Sequence, residues 1–411
     1  MPAYTISPLA PERFPDLPPI PGVRLAAAAT GMRYKGRTDL MLMELAPGST
    51  IAGVFTRSLT AAPPVEWCRS RIGRGRVRAI IVNAGNANAF TGRRGRAAVA
   101  ITAGAVAKQI GAARDDVFVA STGVIGVQLP VEGIVQTLPV AKELLSPASW
   151  ADAARAIMTT DTFPKGATRK AKIGETEVTI NGFAKGSGMI APDMATLIAV
   201  IATDARIPAS ALRAMTRESA ERTFNCITVD GDTSTSDTLL VAATGRAQNR
   251  RVSGASDRVL APFRAALEEV MRDLALQVVR DGEGAQKLVT IRVSGAASHQ
   301  AARRIGLAIG NSPLVKTAIA AGDANWGRLV MAVGKSGEKA DRDRLKIAIG
   351  GIAIAANGEA VPGYDETPVA KHMAGREIDI AVDIGVGRGK AVVWSCDLTH
   401  GYIDINGSYR S

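Results

Sequence analysis

Lys185-Gly-Ser-Gly-Met-Ile-Ala-Pro-Asp-Met-Ala-Thr196 is followed at once by Leu197-Ile-Ala-Val-Ile-Ala202. A glycine-rich segment leads to a small residue, Ala195, and then to a threonine at the start of an apolar, β-branched run that reads as a buried strand. A threonine hydroxyl is a weak nucleophile unless a base lies within hydrogen-bond reach. Breaking the 195–196 peptide bond would supply one, because the freed α-amine has a reference pKa of about 7.7–8.0. The Thr196 side chain can break that bond itself. It attacks the Ala195 carbonyl, the acyl group shifts from nitrogen to oxygen, and water hydrolyses the ester. Gly186 and Gly188 permit a strained turn, Pro192 stiffens the approach, and Ala195 is too small to block attack. The plain alternative is a loop-to-strand junction whose threonine only hydrogen-bonds.

Composition narrows the setting. At 411 residues the chain needs one large or two medium domains. Aromatic residues are only 4%, so the core must be built from Ala, Val, Ile and Leu. No run reaches the roughly 18 apolar residues that span a bilayer, and Met1–Pro8 lacks the features of a signal peptide. Seven prolines in the first 21 residues predict an extended arm on the surface. Cys68, Cys226 and Cys396 are far apart, which fits a reducing cytoplasm and neither a disulfide frame nor a zinc site. The net charge is +12, with clusters at Arg69, Arg71, Arg74, Arg76 and Arg78 and at Arg93, Arg94 and Arg96. Neither cluster has the interleaved aromatics of a nucleic-acid platform, so both read as solvated basic faces.

Strand and helix patterns alternate. Strands are expected at 78–82, 117–120, 176–180, 196–203, 237–243 and 287–293. Helices are expected at about 93–111, 148–158, 208–222 and 257–280, with three more in 297–334. In 257–280, Phe263, Leu267, Met271, Leu274 and Val278 form one apolar stripe. From about 345 onward, short alternating strands with glycine turns predict an antiparallel sheet. The class is α/β, with layered sheets covered by helices.

Other chemistries lack their residues. His299, His372 and His400 sit in no nucleophile or metal signature, and His400 reads as a surface turn between strands. Gly334-Lys-Ser336 lacks the upstream glycine of a phosphate loop, and Gly385-Val-Gly-Arg-Gly-Lys390 reads as a hairpin turn. Asp230 to Asp237 holds three carboxylates but no calcium-loop glutamate, so a capped turn is preferred over a cation site. For acyl chemistry the useful groups are the Ser121-Thr-Gly-Val-Ile-Gly126 turn as oxyanion donor, Lys185 as a partner for a carboxylate, and Glu283 as a partner for an ammonium.

Taken together, these segments resemble the ornithine acetyltransferases, also called bifunctional arginine-biosynthesis glutamate N-acetyltransferases. The resemblance runs end to end. It rests on Asn83-Ala-Gly-Asn-Ala-Asn88, Ser121–Gly126, Thr159-Thr-Asp-Thr162, Lys185–Thr196 and Asp230–Asp237. Asp281-Gly-Glu-Gly-Ala285, Gly322–Arg328 and Tyr402-Ile-Asp-Ile-Asn-Gly-Ser-Tyr-Arg-Ser411 complete it. Gly407-Ser408 departs from the more usual alanine and acidic pair.

The resemblance implies an α-β-β-α sandwich like the N-terminal-nucleophile hydrolases in layout, with a smaller C-terminal α/β part. It implies cleavage between Ala195 and Thr196, giving an α chain of 1–195 and a β chain of 196–411 in an α2β2 assembly. The implied activity carries acetyl from N-acetylornithine to glutamate on Thr196, for arginine biosynthesis. Thr122 and Gly123 would form the oxyanion hole. Thr159, Lys185, Thr196, Glu283, Asn406 and Ser411 would contact substrate. No metal or cofactor is implied, nor any nucleic-acid or membrane partner, and acetyl-CoA stays open as a second donor. Two other readings remain: a related self-cleaving threonine aminopeptidase or amidohydrolase, and a non-enzymatic basic binding protein.

Overall fold

The computed structural model describes residues 5–191 and 197–408. The first half runs β1 (Val23–Ala28), β2 (Leu40–Leu45), β3 (Thr50–Phe55), α1 (Pro63–Ile72), β4 (Ala79–Asn86), α2 (Gly92–Ile110), β5 (Val117–Val124), α3 (Val131–Glu143), α4 (Trp150–Ala156), β6 (Lys165–Ile173) and β7 (Thr176–Lys185). The second half runs β8 (Ile198–Thr203), α5 (Ala209–Arg222), β9 (Thr238–Ala243), α6 (Ala261–Arg280), β10 (Leu288–Ala296), α7 (His299–Gly310), α8 (Pro313–Ala321) and α9 (Trp326–Gly334). It ends with β11 (Lys346–Ile349), β12 (Ile352–Ala356), β13 (Glu359–Ala360), α10 (Thr367–Met373), β14 (Glu377–Asp383), β15 (Gly389–Cys396) and α11 (His400–Ser408).

Two sheets form a sandwich, one ordered β1-β2-β4-β5 and the other β3-β9-β8-β7-β6. Successive strand residues face opposite sides, and the buried contacts follow that rule. Ile198, Val200 and Ala202 of β8 join Met41, Met43, Ile80 and Val82 between the sheets. Ala199 and Ile201 instead pack on α5 and α6. Ala79 and Ile81 of β4 pack outward on α2 and α3. The layers are therefore α-β-β-α. Both faces of β8 and β9 are covered, so their sequences read as continuous apolar runs. Helix α1 lies against the edge strands β5 and β3, and α4 against β1, β6 and β7, so each helix seals one open side of the sandwich. All five stripe residues of α6 are fully buried.

A third sheet, β13-β12-β11-β14-β10-β15, is covered by α7, α8, α9 and α10. The strands after residue 345 pair with one another antiparallel, as expected, and the sheet is mixed only because the earlier strand β10 pairs in parallel with β14. Residues 385–390, however, are no hairpin turn: β14 and β15 flank β10 on opposite sides, so the loop crosses the end of β10. His400 does not lie between two strands. It starts α11, where the Thr399 hydroxyl accepts from Gly401 N–H and donates to the Gly284 carbonyl.

Strands β4 and β5 run four residues past their expected ends, through Asn86 and Val124. Turn-prone asparagine stays in the strand because its amide is satisfied there. Asn83 Nδ2 donates to the Asn86 carbonyl, and its Oδ1 accepts from Ser121 Oγ at 2.6 Å. Strand β6 had no counterpart in the sequence reading.

The proline-rich arm lies on the surface and is tied to it. Ser7 Oγ donates to the Arg280 carbonyl, Asn181 Nδ2 to the Pro18 carbonyl, and Thr244 Oγ1 to the Pro21 carbonyl. Phe14 covers Gly166, where an added Cβ would lie 2.5 Å from the ring. Gly166→Val should therefore eject Phe14 and speed tryptic cutting at Arg13 several-fold, read by mass spectrometry of timed digests. An unchanged cutting rate would mean that Phe14 does not anchor the arm.

Candidate active site

Strands β4 and β5 are parallel and end side by side, with Gly85 opposite Gly123 and Ala84 opposite Thr122. Gly123 has φ +128, and an added Cβ would run into the Gly85–Asn86 backbone. No other residue fits both the conformation and the space. This close approach turns the Thr122 hydroxyl and the end of β5 toward a cavity of about 350 Å³. Beside them, β7 delivers Lys185 at its last position.

Under the cavity floor lies a buried ionic cluster. The Lys165 ammonium is fully buried and bridges Asp161 (2.7 Å) and Asp281 (2.5 Å). Desolvation penalises its charge, but the two carboxylates overcome this and raise its pKa. Burial also opposes ionisation of Asp161, yet Lys165 and Lys185 hold it well below the usual carboxylate range. Burial pushes Asp281 up to about 6.

The same carboxylates order three loops. Asp161 accepts from Gly186 N–H and Thr159 N–H. Asp281 accepts from Thr162 N–H and Oγ1, and its carbonyl accepts from Ser187 Oγ. The glycine-rich loop is pinned a second time by Asp230, which accepts from Met189 N–H (2.6 Å) and Ile190 N–H (2.9 Å). Met189 sits there at φ +57, a conformation that costs a non-glycine residue energy and persists only under such restraint. Beyond residue 196, Leu197 N–H donates to Asp237 Oδ1. Both described flanks of residues 192–196 are thus fixed.

The Glu283 carboxylate lies directly on Gly188, so close that any Cβ at 188 would overlap it. Glu283 is buried and accepts from Asn406 Nδ2 at 2.7 Å. Burial raises its pKa, with the Asn406 and Thr160 hydrogen bonds opposing. Lys185 is also buried, 3.9 Å from Asp161 Oδ2. Desolvation lowers its pKa despite the neighbouring Asp161 charge. The cavity therefore carries a buried ammonium and a buried carboxylate, each prone to give up its charge unless a ligand supplies the opposite one. Lys185 is the single cation among the described residues lining it.

Six of the residues singled out from the sequence, Thr122, Gly123, Thr159, Lys185, Glu283 and Asn406, line this one cavity. Ala195, Thr196 and Ser411 lie outside the described residues. The 230–237 segment behaves as a capped turn, with Asp230 also accepting from Asp232 N–H, and among the described residues no cluster could hold a metal ion. The Arg69–Arg78 cluster is largely neutralised: Arg71 and Arg74 pair with Asp115, Arg76 with Asp116 and Arg78 with Glu44.

Sequence reading missed Lys165, the carboxylate role of Asp161 and Asp281, and Tyr402, whose hydroxyl meets Asp230. One signal was available: Lys165 follows Asp161 at four residues. Lys165→Met should cost about 3–5 kcal/mol, because it leaves two buried carboxylates without their cation. Urea unfolding measures it, and a loss under about 1 kcal/mol would contradict the assigned role of the cluster.

A sequence profile of the ArgJ family matches residues 24–411. The arginine biosynthesis bifunctional protein ArgJ of Gluconobacter oxydans is 58% identical over 406 residues, spanning 99% of this chain and 96% of that one. The protein of the same name in Brucella suis is 55% identical over 410 residues, spanning 99% of both. Among solved structures, the crystal structure of arginine biosynthesis bifunctional protein ArgJ from Bacillus halodurans is 40% identical. It covers 50% of this chain and 96% of that one, with a TM-score of 0.49. The chain belongs to the ArgJ family, the bifunctional arginine-biosynthesis family that its motifs resemble.

Proposed function

We propose that the chain is a glutamate N-acetyltransferase of arginine biosynthesis. It moves an acetyl group from N-acetylornithine to glutamate through an ester on Thr196. The observation that carries this reading is the convergence of Thr122, Gly123, Thr159, Lys185, Glu283 and Asn406 on one cavity of about 350 Å³. That size suits a small amino-acid derivative, and the loop pinned by Asp161, Asp230 and Asp281 ends at Ala191, five residues before Thr196 in the sequence.

Maturation comes first. Thr196 Oγ attacks the Ala195 carbonyl, the N-to-O shift turns the amide into an ester and frees the Thr196 α-amine, and water then hydrolyses the ester to the Ala195 carboxylate and the Thr196 hydroxyl. The products are chains 1–195 and 196–411, assembled as α2β2. In turnover, the α-amine takes the proton from Oγ, and Oγ attacks the acetyl carbonyl. The Thr122 hydroxyl and Gly123 N–H donate to the oxyanion. The leaving ornithine amine receives the proton, and the amine of glutamate then attacks the ester in the second half of a ping-pong cycle. A cationic Lys185 nearby disfavours protonation of the α-amine and so keeps it basic in its neutral form.

Lys185 also receives the substrate carboxylate, and Glu283 the ammonium end of the donor. Thr159 and Asn406 flank the same space, and Ser411 is assigned to it by the motif. Every proton moves between Oγ and amines, so the chemistry as written calls on no metal or prosthetic group. Acetyl-CoA enters as an alternative donor to the same ester. The setting is the cytoplasm, in keeping with three free, buried cysteines. Among the described residues no helix is long and apolar enough to cross a membrane.

The decisive test combines a gel with an assay. Scaling 42.8 kDa by chain length gives bands of roughly 20 and 22 kDa for the wild type, which should co-elute in gel filtration. Thr196→Ala should remain one inactive band of about 43 kDa. With N-acetylornithine and glutamate, N-acetylglutamate should form. Free acetate without it would assign the chain to amide hydrolysis instead.

Glu283 yields a pH prediction. Its pKa is raised, so the ionised form that binds an ammonium is lost as pH falls, and at higher pH than for an ordinary carboxylate. The kcat/KM for N-acetylornithine should fall along that acid limb. Glu283→Gln should remove that group's share of the acid limb, leaving the fall caused by protonation of the Thr196 α-amine, and lower kcat/KM roughly ten- to a hundredfold, the value of a charge-assisted hydrogen bond. An unchanged acid limb in the variant would remove Glu283 from donor binding.

A further inference from the structure

Many basic residues of this chain are ion-paired, as at Arg71, Arg74, Arg76 and Arg78. At one end of the third sheet they are not. Arg344, Lys346, Arg388 and Lys390 line a cleft of about 800 Å³ together with Asn357 and Asp383. Among the described residues none of these four side chains has an ion-pair or hydrogen-bond partner. Arg344 and Arg388 lie in the loops just before β11 and β15, and Lys346 and Lys390 lie in the first two positions of those strands, so all four converge at one end of the sheet. Asp383 is the single carboxylate in the cleft, and its Oδ1 accepts from Gly385 N–H at 3.1 Å. Asp343 pairs with Arg342, and Asp341 accepts from Asp343 N–H. Three positive charges therefore remain without a counterion in a concave space, which focuses their potential.

The cleft is rigid. Val386 and Gly387 N–H groups both donate to the Gly295 carbonyl, and Ile384 N–H donates to the Ser294 carbonyl. A Cβ on Gly387 would lie 2.6 Å from the Ala296 carbonyl oxygen, so glycine is needed for this close packing. These N–H groups are spent internally, so a ligand must be held by the four cationic side chains and the Asn357 amide. No aromatic ring lines the cleft, and stacking of nucleobases is not provided for.

We propose that this cleft binds a small anion bearing several linked phosphates, either free polyphosphate or the phosphate chain of a nucleotide. It is separate from the acyl-transfer cavity. Strands β10 and β15 each run from the loops beside Glu283 to the cleft, and eight or nine residues at about 3.3 Å each put the two sites roughly 25–30 Å apart. An anion there cannot contribute to the reacting centre. It can act only through β10 and β15 on the loops at 281–287 and 396–402.

The test uses the purified full chain and sodium tripolyphosphate as the probe in titration calorimetry. One site per chain is expected, weakening at least tenfold in the double variant R388E/K390E. The neutral variant R388Q/K390Q should weaken it less. Acetyl transfer without polyphosphate should stay within twofold of wild type in both, which excludes a folding defect and is read independently of binding. The control R93E/R94E removes two arginines of α2 and should leave binding unchanged. A nucleoside triphosphate binding as tightly as tripolyphosphate means that phosphates alone are read, and tighter nucleotide binding assigns the natural ligand to that source. Absence of binding at millimolar probe overturns the proposal, as does equal weakening in R93E/R94E. An RNA 20-mer binding more tightly than tripolyphosphate through Arg388 and Lys390 would overturn it in favour of a nucleic-acid surface.

Discussion

The fully buried Lys165 ammonium, held between Asp161 and Asp281, is the interaction on which the site depends. Taking three charges out of water is expensive, and the attraction among them offsets this only if every remaining proton and lone pair is used. Here they are used to order loops. Asp161 holds Gly186 and Thr159, Asp281 holds Thr162 and Ser187, and Thr162 in turn accepts from Ser7 N–H of the arm. One buried cation thereby sets the relative positions of the 159–162 loop, the glycine-rich loop and the end of α6. Glu283 follows Asp281 by two residues, so its place over Gly188 is a consequence of the same cluster.

The surrounding sandwich explains why the cluster can be this exact in its geometry. Parallel β4 and β5 end together on one sheet, while β7 ends and β8 and β9 begin together on the other. Five chain segments therefore meet at one rim of the two-sheet core. The strands carry few polar groups into the cavity, while the segment leading into β9 lines it with Asp230 and Asp232 to Ser236, and the strands are anchored behind by apolar residues that cannot shift without opening the core. Opposite charges are kept apart at that rim, with Lys185 on β7 and Glu283 on the loop after α6. In the proposed reaction their separation lets a charged amino acid be read at both ends.

Much of this was legible in the sequence because it is periodic or local. The α6 stripe and the apolar runs of β8 and β9 were each found from neighbouring residues. What escaped were contacts that join distant positions. Lys165 and Asp281 are 116 residues apart, and nothing around either one announces the other. The extension of β4 through Asn83–Asn86 also escaped, because asparagine there is made strand-compatible by Ser121, on a different strand. The parallel pairing of β10 with β14 depends on which edge of β10 stays free, a tertiary matter. Local glycine patterns likewise misled at 385–390, where close packing of Gly387 and Gly389 on the Ala296–Ser298 backbone, and of Gly385 on Arg344, requires the glycines, not a hairpin.

The second sheet also constrains what a cut between 195 and 196 can do. Its order is β3-β9-β8-β7-β6, so two strands of the later chain lie between strands of the earlier one. β8 is hydrogen-bonded to β7, and β9 to β3, along six residue pairs each. Separating the pieces would expose Phe183, Ile198, Val200 and Leu240 on the inner face, at about 1.5–3 kcal/mol for each large side chain, and would break both ladders. The two proposed chains are therefore not two domains. They are one folded body with an extra pair of ends, and the proposed cleavage would free an amine at residue 196 without loosening the β7–β8 ladder that follows it.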